Sequence, residues 1–177
     1  MASAGTAVRG AVAGAVVAVS RRLPWTADAD DIITLLEADH RRMETLLKQG
    51  AETTERAVVT RVELLDKIIA ELNLHENIEE GILYPALKAY SEARDIVLEG
   101  FQEHHVADLL GQELQEVAED DERWGAKFKV FKENLEHHIQ EEEGSMFRTA
   151  RAVISREELQ RLGARMTEMK AETRRQA

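Results

Sequence analysis

His75, Glu79, Glu80, Leu83 and Tyr84 recur 63 residues later as His138, Glu142, Glu143, Met146 and Phe147. On a helix, a His and a Glu four apart lie about 40° apart around the axis and about 6 Å along it, so both reach one small object beside the helix. A lone histidine precedes each copy at a similar interval, His40 standing 35 residues before His75 and His104 standing 34 before His138. The chain thus reads twice as His, then His-x-x-x-Glu. This pattern calls for four helices whose inner faces gather four imidazoles and two carboxylates around one point. A metal site is what such a donor set suits.

The surrounding periodicity is helical. Leu35, Leu36, Met43, Leu46 and Leu47 flank His40, and Ala107, Leu110, Leu114 and Ala118 follow His104 at mostly three- or four-residue steps. Pro24 followed by Asp28, Asp30 and Asp31 predicts a first bundle helix running to Gly50. Thr53 or Thr54 opens a second, carried by Val58, Val62, Leu65, Ile68, Ile69 and Leu72 to His75 and ending near Pro85. A third spans roughly 92–119. The acidic cluster 119–122 turns the chain into a fourth, with Trp124, Phe128, Phe131 and Leu135 leading to His138 before Gly144 and Ser145 loosen it. Ser155 and Glu158 form a capping box for a short terminal helix, expected on the surface. The expected fold is all-α: an antiparallel four-helix bundle over 26–154, preceded by an Ala/Gly/Val-rich segment at 1–25 and followed by a helical tail at 155–177.

Composition narrows the function classes. At 177 residues the chain can bury a single core without disulfides. It has no cysteine, which excludes thiol catalysis and thiolate metal sites and fits a reducing cytoplasm. A formal charge of −11 with scattered basic residues argues against nucleic acid as a partner. The apolar run from Ala11 to Val19 is too short to span a bilayer, and Arg21 and Arg22 stand where a signal cleavage site would fall. It reads as a helix that packs on the bundle or mediates self-association, or as a tail.

Leaving so many imidazoles and carboxylates buried without a cation would cost several kcal/mol. Imidazole mixed with carboxylate suits iron, manganese or zinc, and six ligands are too many for one tetrahedral zinc. Two adjacent ions bridged by Glu79 and Glu142 is the economical arrangement.

The residues from Leu36 to His40, from His75 to Pro85, Glu103-His104, and from His138 to Glu143 with Met146-Phe147 together resemble the hemerythrin/HHE cation-binding family over about 30–150. The resemblance implies a four-helix bundle holding a non-haem centre of two iron ions with an oxo or hydroxo bridge, manganese or zinc remaining open. It implies His40, His75, Glu79, His104, His138 and Glu142 as the metal ligands. His105 and His137 sit about 100° from His104 and His138 around their helices and are read as surface residues. Oxygen-carrying members resemble this chain but bring a fifth histidine from the third helix; one turn beyond His104 this chain has Asp108. That leaves about two of about twelve coordination positions open, with Glu76, Asp108, His105 and Tyr84 as candidates to fill them. The expected function is a di-iron protein that binds oxygen, nitric oxide or peroxide for sensing, iron and oxygen handling or stress protection. The alternative is an enzyme that disproportionates hydrogen peroxide at the same centre.

Overall fold

The computed structural model describes residues 30–176. The expectations for the segment at 1–25, self-association among them, lie outside the described residues. Helix α1 (Ile32–Ala51) is capped by Asp31, whose carboxylate accepts the Thr34 N–H at 2.9 Å. Its buried stripe of Ile33, Leu36, His40, Met43 and Leu47 keeps the three- and four-residue rhythm of an inward face.

Helix α2 (Val58–Ile78) starts later than Thr53. The Thr53 hydroxyl donates to the Gly50 carbonyl at 2.7 Å and accepts from Arg61 at 3.0 Å, so side-chain bonds hold the link where a helix was expected to begin. At the other end α2 runs into a π-helical turn (Glu79–Leu83) and continues as α3 (Tyr84–Leu87), carrying Pro85. The second copy repeats this: α5 (Glu122–Glu141) enters a π-helical turn (Glu142–Met146) and continues as α6 (Phe147–Val153). Gly144 and Ser145 therefore lie within a widened turn that does not end the helix. Since the second copy has no proline, the wide turn belongs to the His-x-x-x-Glu-Glu motif and not to Pro85.

Helix α4 (Arg94–Gln115) follows a short 3₁₀ turn, and Asp121 caps α5 through the Arg123 N–H at 2.8 Å. Contacts of α1 with α2, α4 with α5, α1 with α5 and α2 with α4 close the four helices into a ring. No strand occurs among the described residues. The terminal helix α7 (Arg156–Gln176) is longer and better packed than expected, burying Leu159, Leu162, Gly163 and Met166 along α1. Its many arginines and glutamates masked a narrow apolar stripe. Ser155 accepts the Glu158 N–H at 3.2 Å, one arm of the expected capping box. At Gly163 the helix backbone lies so close to that of Asp30, Asp31 and Ile32 that a Cβ would not fit.

The core comes in two apolar clusters. One gathers Ile32, Leu36, Ile78, Leu83, Tyr84, Val97, Phe147 and the α7 residues; the other gathers Met43, Leu47, Leu65, Ile68, Leu72, Trp124, Phe128, Phe131 and Leu135. Each fully buried apolar side chain stabilises the fold by about 1.5–3 kcal/mol. Between the two clusters lies a polar layer.

Candidate metal centre

That layer contains all six expected ligands. His40, His75, His104, His138, Glu79 and Glu142 are buried, each 6 % exposed or less. Their ligand atoms form two groups, His40, His75, Glu79 and Glu142 in one and Glu79, His104, His138 and Glu142 in the other, with atoms within 4.8 Å of one another. Both glutamates belong to both groups. Glu79 Oε2 lies 3.3 Å from Nε2 of His75 and 3.3 Å from Nε2 of His104, while Glu142 Oε2 lies 3.2 Å from Nε2 of His40 and 3.5 Å from Nε2 of His138. Each carboxylate thus stands between the two pairs of imidazoles, as a bridging ligand would.

Three of the four imidazoles turn their outer nitrogen to a carboxylate at hydrogen-bond distance. His40 Nδ1 meets Glu143 at 2.8 Å, His104 Nδ1 meets Glu80 at 2.9 Å and His138 Nδ1 meets Glu103 at 2.9 Å. His75 Nδ1 faces Asp39 at 3.8 Å. With Nδ1 donating outward, Nε2 is left with its lone pair toward the centre, the form in which imidazole binds a metal. The π-helical turns make this layout workable: in each one the first glutamate points to the centre and the next reaches a histidine on a different helix. Wide turns of this kind recur at functional sites.

Two rings complete the layer. Phe147 stacks on His40 at 5.5 Å, and Tyr84 stacks on His104 at 5.4 Å. The Tyr84 hydroxyl donates to Glu142 Oε1 at 3.1 Å and lies 3.1 Å from His104 Nε2. Room for it exists because residue 100 is glycine, whose Cβ, if present, would sit 2.6 Å from that oxygen. Glu76 is also buried, and its Oε1 has no hydrogen-bond partner. A cavity of about 10 Å³, room for about one water-sized molecule, opens among Met43, Leu72, Leu135, Ile139, His40, His75 and His138, with Asp39 and Glu71 also on its wall.

The electrostatics are those of an acid-rich, desolvated pocket. Burial alone would lower His75, but Glu79, Asp39 and Glu142 carry it well above its ordinary value. His104, opposed by burial and raised chiefly by Glu79 and Glu80, reaches about 9. Burial likewise opposes His138, which Glu142 and Glu103 nonetheless raise. Burial would raise Glu142, yet His138, His40 and His75 hold it well below the usual carboxylate range. Burial pushes Glu76 up to about 7, and raises Tyr84 with the help of Glu79 and Glu142.

A metal fits this donor set. Both oxygens of Glu79, Oε2 of Glu142 and Nε2 of His138 are buried without a hydrogen-bond partner, although they crowd one another. Unpaired buried polar atoms each cost about 1–3 kcal/mol, and cations among them would offset that cost. His105, His137 and Asp108 are exposed and do not join the cluster. Asp39, Glu80, Glu103 and Glu143 were not given roles from sequence. An acid directly before each lone histidine and a second glutamate after each motif, both repeating at an offset of 63 or 64, was the available signal. Lys170, which pairs with Asp39 from 131 residues away, left none.

A four-helix bundle whose polar layer offers two overlapping His/Glu groups defines a cation-binding helical protein. Residues 31–150 match the family described as Hemerythrin HHE cation binding domain, and the chain belongs to that family. Comparison with curated proteins finds no match. A solved structure of a hemerythrin HHE cation binding domain-containing protein from Mycobacterium kansasii is similar, with a TM-score of 0.72 and 26% identity, covering 80% of this chain and 86% of that one.

Proposed function

We propose that this chain is a non-haem di-iron protein whose centre binds dioxygen, nitric oxide or peroxide, serving in sensing, in iron and oxygen handling or in protection from oxidative stress. The observation that carries this reading is the position of Glu79 and Glu142, each within 3.5 Å of an imidazole from both groups. His40 and His75 would hold one ion, His104 and His138 the other, with both glutamates shared. Such a pair supplies one-electron redox chemistry and Lewis acidity toward small oxygen species. Donors of this type also accept manganese or zinc.

The small cavity beside His40, His75 and His138, walled by Met43, Leu72, Leu135 and Ile139 together with Asp39 and Glu71, has room for a ligand of a few atoms, which would approach there. On the other side Tyr84 and Glu76 are the groups able to complete the coordination. No helix among the described residues is long and apolar enough to cross a membrane.

A second reading, disproportionation of hydrogen peroxide to oxygen and water, is favoured by Asp108: where oxygen-carrying relatives bring a fifth histidine, it faces solvent. Metal analysis with the visible spectrum of air-exposed protein tests the first reading. Two irons per chain with charge-transfer bands are expected, and a colourless zinc protein would overturn it. Oxygen evolution from peroxide over many turnovers per site would establish the second; a stoichiometric response would exclude it.

A further inference from the structure

Asp39 is the orienting carboxylate that the terminal helix touches. Lys170 on α7 places its ammonium 2.6 Å from Asp39 Oδ1 and also contacts Oδ2, and Arg42 pairs with the same carboxylate from its own helix. Lys170 is 16% exposed and Asp39 6%, so the pair is shielded from solvent and poorly screened. One turn earlier, Met166 is fully buried in the core, which fixes where the ammonium can reach. The repeat-related carboxylate, Glu103, is 20% exposed and pairs with no lysine or arginine among the described residues. It closes on His138 at 2.9 Å, while Asp39 stays 3.8 Å from His75, whose Nδ1 lacks a hydrogen-bond partner.

We propose that Lys170 is a positioning residue for the metal centre: by fixing where the Asp39 carboxylate stands, 3.8 Å from Nδ1 of His75, α7 governs how tightly the ion at His40 and His75 is held and leaves the ion at His104 and His138 untouched. The inference rests on the two-ion reading above. It extends the site beyond residue 150, where the family match ends, to a helix outside the four-membered ring. Carboxylates behind metal-binding histidines set ring orientation and basicity, and losing one lowers metal affinity about 10- to 100-fold. A residue acting through that carboxylate has a smaller effect, confined to the same ion.

The test is cobalt(II) titration of the metal-free full chain, with exchangeable imidazole N–H signals of the loaded protein as a second readout. Asp39→Asn is expected to weaken one of the two cobalt sites about tenfold or more. Lys170→Met is expected to weaken that same site several-fold, to shift the His75 N–H signal but not that of His138, and to add nothing on the Asp39→Asn background. Lys170→Arg restores the wild-type value. Equal weakening of both sites, a full additive effect with Asp39→Asn, or unchanged binding in Lys170→Met overturns the inference. A drop in the melting temperature of metal-free Lys170→Met that accounts for its binding loss would show a packing role and overturn it as well. A wild-type chain that takes up no cobalt overturns the two-ion reading itself, whereas uptake of two ions with Lys170→Met unaffected defeats this inference alone.

Discussion

Glu143 holds His40 as Glu80 holds His104, and Phe147 stacks on the first of these rings as Tyr84 stacks on the second. The two halves of the centre part company around this shared frame. Tyr84 has a hydroxyl that Phe147 lacks, Gly100 replaces Leu36 in the repeat register, and Glu76 replaces Ile139. The differences collect on the His104–His138 side, which gains a phenol and a second buried acid. The His40–His75 side has Phe147, Leu36 and Ile139 at the matching positions, and the small cavity opens between His40, His75 and His138. Repetition therefore places the six candidate ligands, and the departures from it make the two His/Glu groups chemically distinct.

The largest effect should come from breaking what the halves share. Glu79→Ala or Glu142→Ala removes a candidate ligand from both groups at once, so the metal content should fall from the two ions proposed above to fewer than one while the circular dichroism stays helical. Loss of one ion alone would show that the carboxylate serves a single half.

Proton competition comes next. His104, raised to about 9, contributes stability to the metal-free fold that is fully present below its ordinary value of about 6.5 and is lost as pH rises through 9. Glu142, held low, contributes above about 4.5 and loses its share only as pH falls through its depressed folded value. The metal-free fold thus gains most from these groups between about pH 4.5 and 6.5, whereas metal binding needs neutral imidazoles and weakens as pH falls below about 9, where His104 takes up its proton. The rise in melting temperature on metal loading should grow from pH 6 to pH 9. A rise independent of pH would detach the imidazoles from the metal.

Smaller effects sharpen the contrast between Tyr84 and Phe147. Phe147→Tyr would push a hydroxyl toward Leu36, where the other half has Gly100, and should destabilise the protein by about 1–3 kcal/mol in urea unfolding. Tyr84→Phe gives both halves the same ring and loses one hydrogen bond to Glu142, which should cost about 1 kcal/mol and alter the visible spectrum of the metal-loaded protein. Equal costs for the two substitutions would mean that the halves are more alike than Leu36 and Gly100 suggest.

Much of this was readable in advance. The His-x-x-x-Glu spacing on helical faces sufficed to expect that His40, His75, Glu79, His104, His138 and Glu142 converge, because the period of a helix converts spacing into direction. The roles of Asp39, Glu80, Glu103 and Glu143 were harder to see, since acids on exposed helix turns are common and each of these reaches across to another helix. The π-helical turns were invisible: a widened turn follows from how neighbouring helices meet, and Gly81 and Gly144 alone do not announce it. In α7 the Leu159, Leu162 and Met166 stripe was diluted by charge, and only tertiary packing shows which face it buries.

The close approach at Gly163 has a consequence for how the molecule comes apart. Because α7 presses its backbone on the residues that start α1, the last helix and the opening turn of the first cannot fray one at a time. Their amides should exchange with deuterium as one cooperative unit, and a bulkier side chain at this contact would pry both ends loose together.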